Sequence, residues 1–509
     1  MKALEIGAQP LTLQDLYEVS VCFRSVTLSA FAKKKIKESR QFLEKEVDSG
    51  KTIYGVNTGF GILSNQKIQP NRLEALQVNL LRSHACGVGN PLEEKYVRAM
   101  LLLRANALSF GSSGVRVELL DQILLLLNKK IHPFVPTQGS VGASGDLAPL
   151  AHLALPLIGE GEVIHRGKRT SAAKILKEND VKPLVLKSKE GLALINGTQF
   201  MTAIAGIDLH FSNYLLELCD LVGALSVEAL RGSLAAFSSE IHRVRPHRGQ
   251  QIVASRLRRF LKPGNKSSEI MKSHRNCDRV QDPYSLRCIP QVHGASRDAL
   301  KYVEEVVLCE MNSVTDNPLV FPESGKIISG GNFHGQYVAM ALDFAGIALS
   351  EFANISEQRI QKLINPMFSD LPAFLTEKGG LNSGLMIVQV AAASLVSENK
   401  TLAHPASVDS IPTSTDKEDH VSMGAWAANK YRRIVENSRK VIAMEILAAG
   451  QAIDLLRPLQ STEPLEKFHK LLRRRVSPIK SDRIFYKDIE AIEEMIVRYE
   501  FLEVCDAGN

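Results

Sequence analysis

Residues 337–353 read YVAMALDFAGIALSEFA. Val338, Ala341, Leu342, Ala345, Leu349 and Phe352 fall on one face at helical spacing. The pattern runs on through Ile355, Ile360 and Leu363 until Pro366 stops it. Steps of three and four predict one long amphipathic helix. At 1.5 Å rise per residue it would be roughly 40 Å long. Asp343 and Glu351 interrupt the apolar run, so it reads as a buried helix rather than a membrane span.

A second long pattern starts near Trp426, continues through Ile434, Val441, Ala448 and Leu455, and ends before Pro458. Between the two, NSGLMIVQVAAASLVSENKTLA (382–403) is a third helix candidate. Successive long apolar helices imply a bundle in which each buries its stripe against its neighbours. Strand signals are few: LVFPESGKIIS (319–329) predicts a hairpin and GEVIHRGKRT (161–170) a short ribbon. The expected fold class is mainly α: a long-helix bundle over 201–509, behind a smaller, helical, loop-rich N-terminal domain over 1–200.

The 509 residues allow two to four domains or one large helical unit. Apolar residues make up 45% and charged residues 23%, an ordinary globular balance. A net charge of +7 on this length does not call for a polyanionic partner. The seven cysteines are odd in number and none lies at C-x-x-C spacing, which points to a reducing compartment. The N-terminus has no apolar signal core. We expect a cytoplasmic protein with neither a membrane nor a nucleic-acid partner. The basic stretches 242–262 and 469–480 lack interleaved aromatics, so they read as solvated helix faces or subunit contacts.

The most chemically suggestive stretch is TQGSVGASGDLAPLAHLALPLIGEGEV (137–163). Gly145 carries no side chain, so its nitrogen can approach the Ala143 carbonyl carbon. Attack there closes a five-membered ring across Ser144. Loss of one water completes an imidazolone, and loss of a second from Ser144 leaves an exocyclic methylene. The product is an electrophile made from the chain alone. A Gly/Ser turn between helices is the bland alternative, since short motifs often match by chance.

The surroundings carry more weight. The segment from Gly139 to Val163 resembles the signature of the aromatic amino-acid ammonia-lyase and aminomutase family. YGVNTGFG (54–61), LINGTQ (194–199), QDPYSLRC (281–288), DNPLVF (316–321) and SGGNFHG (329–335) also look like family segments, in family order. So do 382–414 and EDHVSMG (418–424). The resemblance covers about residues 50 to 430. It implies a methylidene-imidazolone (MIO) prosthetic group built from Ala143, Ser144 and Gly145, with no external cofactor. It also implies a homotetramer whose active sites draw on more than one subunit.

Within that resemblance each site residue has an expected role. Tyr54 is the first choice for the base that removes the β-proton, provided its surroundings lower a phenol pKa that is ordinarily near 10. Arg287 can hold the substrate carboxylate in a two-bond fork. Asn196 can hold the same carboxylate or the amino group. Tyr284 and Gln281 line the pocket, and Phe333 packs near the prosthetic ring. His84 and Glu418 set the substrate: a carboxylate accepts an imidazole N–H, a donor that phenyl and phenol rings lack at that place. The expected reaction is elimination of ammonia from L-histidine to give trans-urocanate. Glu418 is also a rival base. Lys417, where related sequences tend to carry Gln, is expected to point away from Glu418.

Three other readings carry less. Members acting on tyrosine or phenylalanine, aminomutases included, remain an alternative, as does a helical scaffold without catalysis. His274, Cys277, Cys288 and His293 superficially suggest zinc, but their spacing is short for a finger. No metal site is expected. GEVIHRGKRT misses the phosphate-loop spacing by one residue.

Overall fold

The computed structural model describes residues 1–274 and 280–508. It is mainly helical, as the periodicity requires. The helix read from 337–353 spans Gln336–Ile364, and the second long pattern spans Gly424–Leu455. Pro366 does end the first, because Asn365 then caps a new short helix with its side chain. The third candidate begins at Met386 rather than near 382. Asp482 causes the delay: its carboxylate accepts the amides of Ser383 (2.7 Å) and Gly384 (2.9 Å), holding them in a turn ahead of the helix.

Two further long helices, Gln199–Ala229 and Ile289–Met311, carry no clean stripe in the sequence. The first is buried around nearly its whole circumference, so it has no polar face to give it a period. Both hairpins form as read. Leu319–Phe321 pairs with Lys326–Ile328, and Glu162–His165 pairs with Lys168–Ser171. Gly325 turns the first at φ +64°, a conformation only glycine adopts cheaply.

Contacts divide the chain into two units of several segments each, rather than at one cut near residue 200. The first unit is Met1–His210, Val303–Asp343 and Pro405–Arg432. Its centre is the helix Glu94–Ser109, buried at every position from Tyr96 onward. The short helix Leu147–Ala154, which follows the glycine-rich turn, packs against Leu73–His84 and Glu190–Ile195. These three helices position the site described below.

The second unit is Phe211–Tyr302, Phe344–His404 and Arg433–Asn509. A buried carboxylate near its centre is neutralised by a buried guanidinium, as a low-dielectric interior favours. Arg359 grips Glu445 through Nη2 at 2.8 Å, and Ser226 donates to the same carboxylate at 2.6 Å. The helix Gln336–Ile364 is long and apolar enough to cross a bilayer by composition, but 67% of its apolar window is buried inside the protein. Its Asp343 pairs with Lys430 at 3.0 Å, both nearly fully buried.

Candidate active site

The tripeptide sits in a turn that only glycines permit. Gly142 lies at φ +69° and Gly145 at φ +77°. A Cβ on Gly142 would meet Ser422 Oγ at 2.2 Å, and one on Gly145 would meet the Gly197 carbonyl oxygen at 2.2 Å. The turn folds tightly on itself: Gly145 N donates to Ala143 O at 2.6 Å. The chain on each side is pinned. Asp146 N donates to Gly197 O at 2.7 Å, and Met423 N to Val141 O at 2.9 Å. This geometry fits a ring closed across Ser144.

Asp146 anchors the end of the turn from inside. One of its oxygens accepts the amides of Phe200 (3.1 Å) and Met201 (3.0 Å). Burial pushes its carboxyl up to about 7, against the opposing pull of those two amides.

Beside the turn lies a cavity of about 380 Å³, lined by Tyr54, His84, Ala143, Ser144, Asn196, Phe333 and Glu418 among others. Leu80, Leu147, Leu192 and Ile195 supply apolar wall, which suits a flat ring. All of these belong to the first unit. Residues far apart in sequence are thus brought onto one wall.

Glu418 is the best-held polar group in the cavity. Ser144 Oγ donates to its Oε1 at 2.6 Å. Thr413 (2.9 Å) and Ser414 (2.6 Å) donate to Oε2. Burial pushes the carboxyl up, but these hydroxyls and His84 outweigh it and hold it below its ordinary value. Glu418 is therefore ionised at neutral pH. Thr413 and Ser414 had no role in the sequence reading; their only signal was their place in the family-like segment ending at 414. Lys417 also lines the cavity, but the groups that hold the Glu418 carboxyl low are hydroxyls and His84.

His84 Nδ1 lies 2.9 Å from Leu80 O. A carbonyl can only accept, so Nδ1 carries the proton and Nε2 is left as an acceptor when the ring is neutral. Burial lowers the His84 pKa, with the Leu80 carbonyl and Glu418 opposing. Tyr54 departs from expectation. Burial pushes its hydroxyl up, the Gly61 backbone opposes, and the charge on Glu418 adds to the rise. The lowering that a tyrosine base needs is not supplied by these surroundings.

Gln281, Tyr284 and Arg287 belong to the second unit and do not line this cavity. Tyr284 and Gln281 are exposed and Arg287 is half-buried. The Arg287 guanidinium stacks 4.4 Å from the Tyr284 ring centroid, and its Nε donates to Asp282 O at 3.1 Å. Of the zinc-like pattern, Cys277 lies outside the described residues. His293 is buried and committed to Asp220 at 2.8 Å.

Comparison with known proteins agrees with this geometry. The model of the family "Aromatic amino acid lyase" matches residues 11–474. A histidine ammonia-lyase of Alkaliphilus oremlandii is 51% identical over 509 residues, covering 99% of each chain. Among solved structures, histidine ammonia-lyase from Trypanosoma cruzi superposes with a TM-score of 0.92 at 44% identity, covering 99% of this chain and 95% of that one. Tyrosine aminomutase from Streptomyces globisporus gives 0.93 at 36% identity, covering 99% and 98%.

Proposed function

The chain belongs to the aromatic amino acid lyase family, and from that membership we propose that it eliminates ammonia from L-histidine to give trans-urocanate. The observation that carries the substrate is Glu418. It is a charged, half-buried carboxylate on the cavity wall, fastened through Oε2 by Thr413 and Ser414. A carboxylate so placed favours a ring with an N–H donor, whereas a phenyl ring would leave the charge unpaired and desolvated. Relatives of the histidine type at about half identity support the same choice.

The Ala143-Ser144-Gly145 turn has the glycines and the close approach that an MIO group requires. That group supplies an electron sink, easing loss of a weakly acidic β-proton and of the amine. The side chains do the rest. Glu418 accepts the imidazole N–H, and neutral His84 flanks the ring. Asn196 holds the polar end of the substrate, and Phe333 packs near the prosthetic ring. With Oε2 bound by hydroxyls and Oε1 given to the imidazole N–H, Glu418 is committed to holding the ring. Tyr54 is left to take the β-proton. The substrate ammonium adds positive charge beside Tyr54, which offsets the charge of Glu418 on it. The Cβ–H electrons become the Cα–Cβ double bond as the Cα–N bond breaks and ammonia departs.

Arg287, Gln281 and Tyr284 would complete the site from a neighbouring copy in a homotetramer, with Arg287 on the substrate carboxylate. We place the enzyme in the cytoplasm, acting on a small-molecule substrate, with no nucleic-acid or membrane partner and no external cofactor. The test is to assay histidine, tyrosine and phenylalanine side by side and to weigh the intact protein. Urocanate should form fastest, from a chain two waters lighter than its sequence. Faster coumarate or cinnamate formation, or an unmodified mass in active material, would overturn the reading.

A further inference from the structure

Below the turn lies a buried charge cluster that the reaction as described does not use. Arg104, on the helix Glu94–Ser109, is 1% exposed, and Lys189 and Asp316 are 0% exposed. Lys189 Nζ pairs with Asp316 Oδ2 at 2.7 Å. Asp316 also acts electrostatically on Arg104. Two cations thus share one carboxylate in the interior. Burial lowers Arg104 to about 10, which still leaves it charged at neutral pH.

Desolvating a guanidinium is costly unless its hydrogen bonds recover the loss. Here the recovery is incomplete: Nε and Nη2 of Arg104 make no hydrogen bond among the described residues. A single nitrogen carries the guanidinium's hydrogen bonds to the loop. Nη1 donates to Asn196 O at 2.8 Å and to Gln199 Oε1 at 3.0 Å. Those acceptors are the two ends of the loop Asn196–Gln199. Gln199 in turn donates through Nε2 to Thr315 Oγ1 at 2.7 Å.

The same loop clamps the tripeptide. Gly197 O accepts the Asp146 amide at 2.7 Å, and Gly197 bridges Gly145 in parallel. Gly197 has no room to yield: a Cβ there would lie 2.5 Å from Arg104 Nη1 and 2.6 Å from Thr315 O. The guanidinium therefore fixes the height and register of the loop. The loop holds the Asp146 amide, one peptide beyond the nitrogen that must attack, and it carries Asn196 on the cavity wall.

We propose that Arg104 is a positioning residue for maturation of the tripeptide. It straps the Asn196–Gln199 loop so that Gly197 presses the Gly145–Asp146 amide into the cyclising turn. This rests on the reading given under Proposed function. The closure forms the Gly145 N–Ala143 C bond and expels one water. Loss of the Ser144 hydroxyl with its α-hydrogen expels the second, and no oxidant or reductant is required. Arg104 exchanges no bond in either step.

The test compares Arg104→Lys and Arg104→Gln with wild type. It follows the two-water mass loss over time after production, with kcat, KM and melting temperature on the same samples. Glutamine should leave a folded protein whose dehydrated fraction is less than one-tenth of wild type. The part that does dehydrate should show a raised KM. Lysine keeps the charge and one donor, and should restore at least half of the dehydrated fraction. Wild-type pace of water loss in Arg104→Gln would overturn the proposal. So would Arg104→Lys that fails to fold or matures no better than glutamine, either of which would make the residue only a stability element. If wild type itself keeps its full sequence mass, the functional reading has failed instead, and that outcome is seen before any variant is compared.

Discussion

Ser144 Oγ donates to Glu418 Oε1 across 2.6 Å, joining residues 274 positions apart. In the proposed function, the hydroxyl that would leave as water thus occupies the acceptor that would later read the substrate. Dehydration of Ser144 would free Oε1, so maturation and substrate recognition would use one oxygen in turn. It would also remove the strongest of the hydrogen bonds that hold the Glu418 carboxyl low.

Ser144→Ala separates the two roles. The alanine protein cannot dehydrate and should keep the mass of its sequence. Turnover should fall by about 10³-fold or more, the scale of losing an essential catalytic group. Because Oε1 is free in this variant, urocanate should still bind within about threefold of wild type by calorimetry, a difference under 1 kcal/mol. Wild-type turnover would remove the electrophile from the mechanism.

Glu418→Gln keeps the shape and an acceptor oxygen but discards the charge. A charge-assisted hydrogen bond is about twice as strong as a neutral one. We expect kcat/KM for histidine to fall about 10- to 100-fold, or about 1.4 to 2.7 kcal/mol. Trace activity on phenylalanine should stay level or rise. Equal losses on both substrates would show that Glu418 does not discriminate between rings.

As the proposed base, Tyr54 should set the pH dependence. In the empty cavity its hydroxyl is pushed above the ordinary value of 10.0 by burial, with Gly61 opposing and Glu418 adding to the rise. A base works only when deprotonated, so kcat/KM, which reports the free enzyme, should still be rising with pH in the alkaline range. The limb in kcat should lie lower, since bound substrate contributes an ammonium. Tyr54→Phe should lose about 10²- to 10⁴-fold in kcat together with that limb. If activity instead tracks a carboxylate at acid pH and the limb survives in Tyr54→Phe, Glu418 is the base.

Asp146 couples stability to pH. Its carboxyl is raised from 3.8 to about 7 by burial, against the Met201 and Phe200 amides. For a raised acid the favourable contribution is full below the unfolded value. It is lost as pH climbs to about 7, and is constant beyond. Asp146→Asn retains an oxygen for both amides and cannot ionise. Its melting temperature should gain on wild type between pH 5 and pH 8. Parallel curves for the two proteins would show that Asp146 is already charged at pH 5.

Much of this was local enough to read from the chain. The helices Gln336–Ile364 and Gly424–Leu455 show their period because one face of each keeps polar residues, and both hairpins carry their own turn chemistry. The helix Gln199–Ala229 was not legible, because burial on nearly every side erases the alternation from which a period is read. The tripeptide proposed to cyclise is three consecutive residues, so the proposal needs no fold to be framed.

The fold decided what surrounds it. Hydroxyls at Thr413 and Ser414 fasten Glu418, Arg104 reaches the carbonyl of Asn196, and burial drives the pKa values of Tyr54 and Asp146 upward. Composition and spacing record which side chains a chain owns. Desolvation and hydrogen-bond geometry depend on which of them meet once long-range packing has excluded water, and only the tertiary structure determines that.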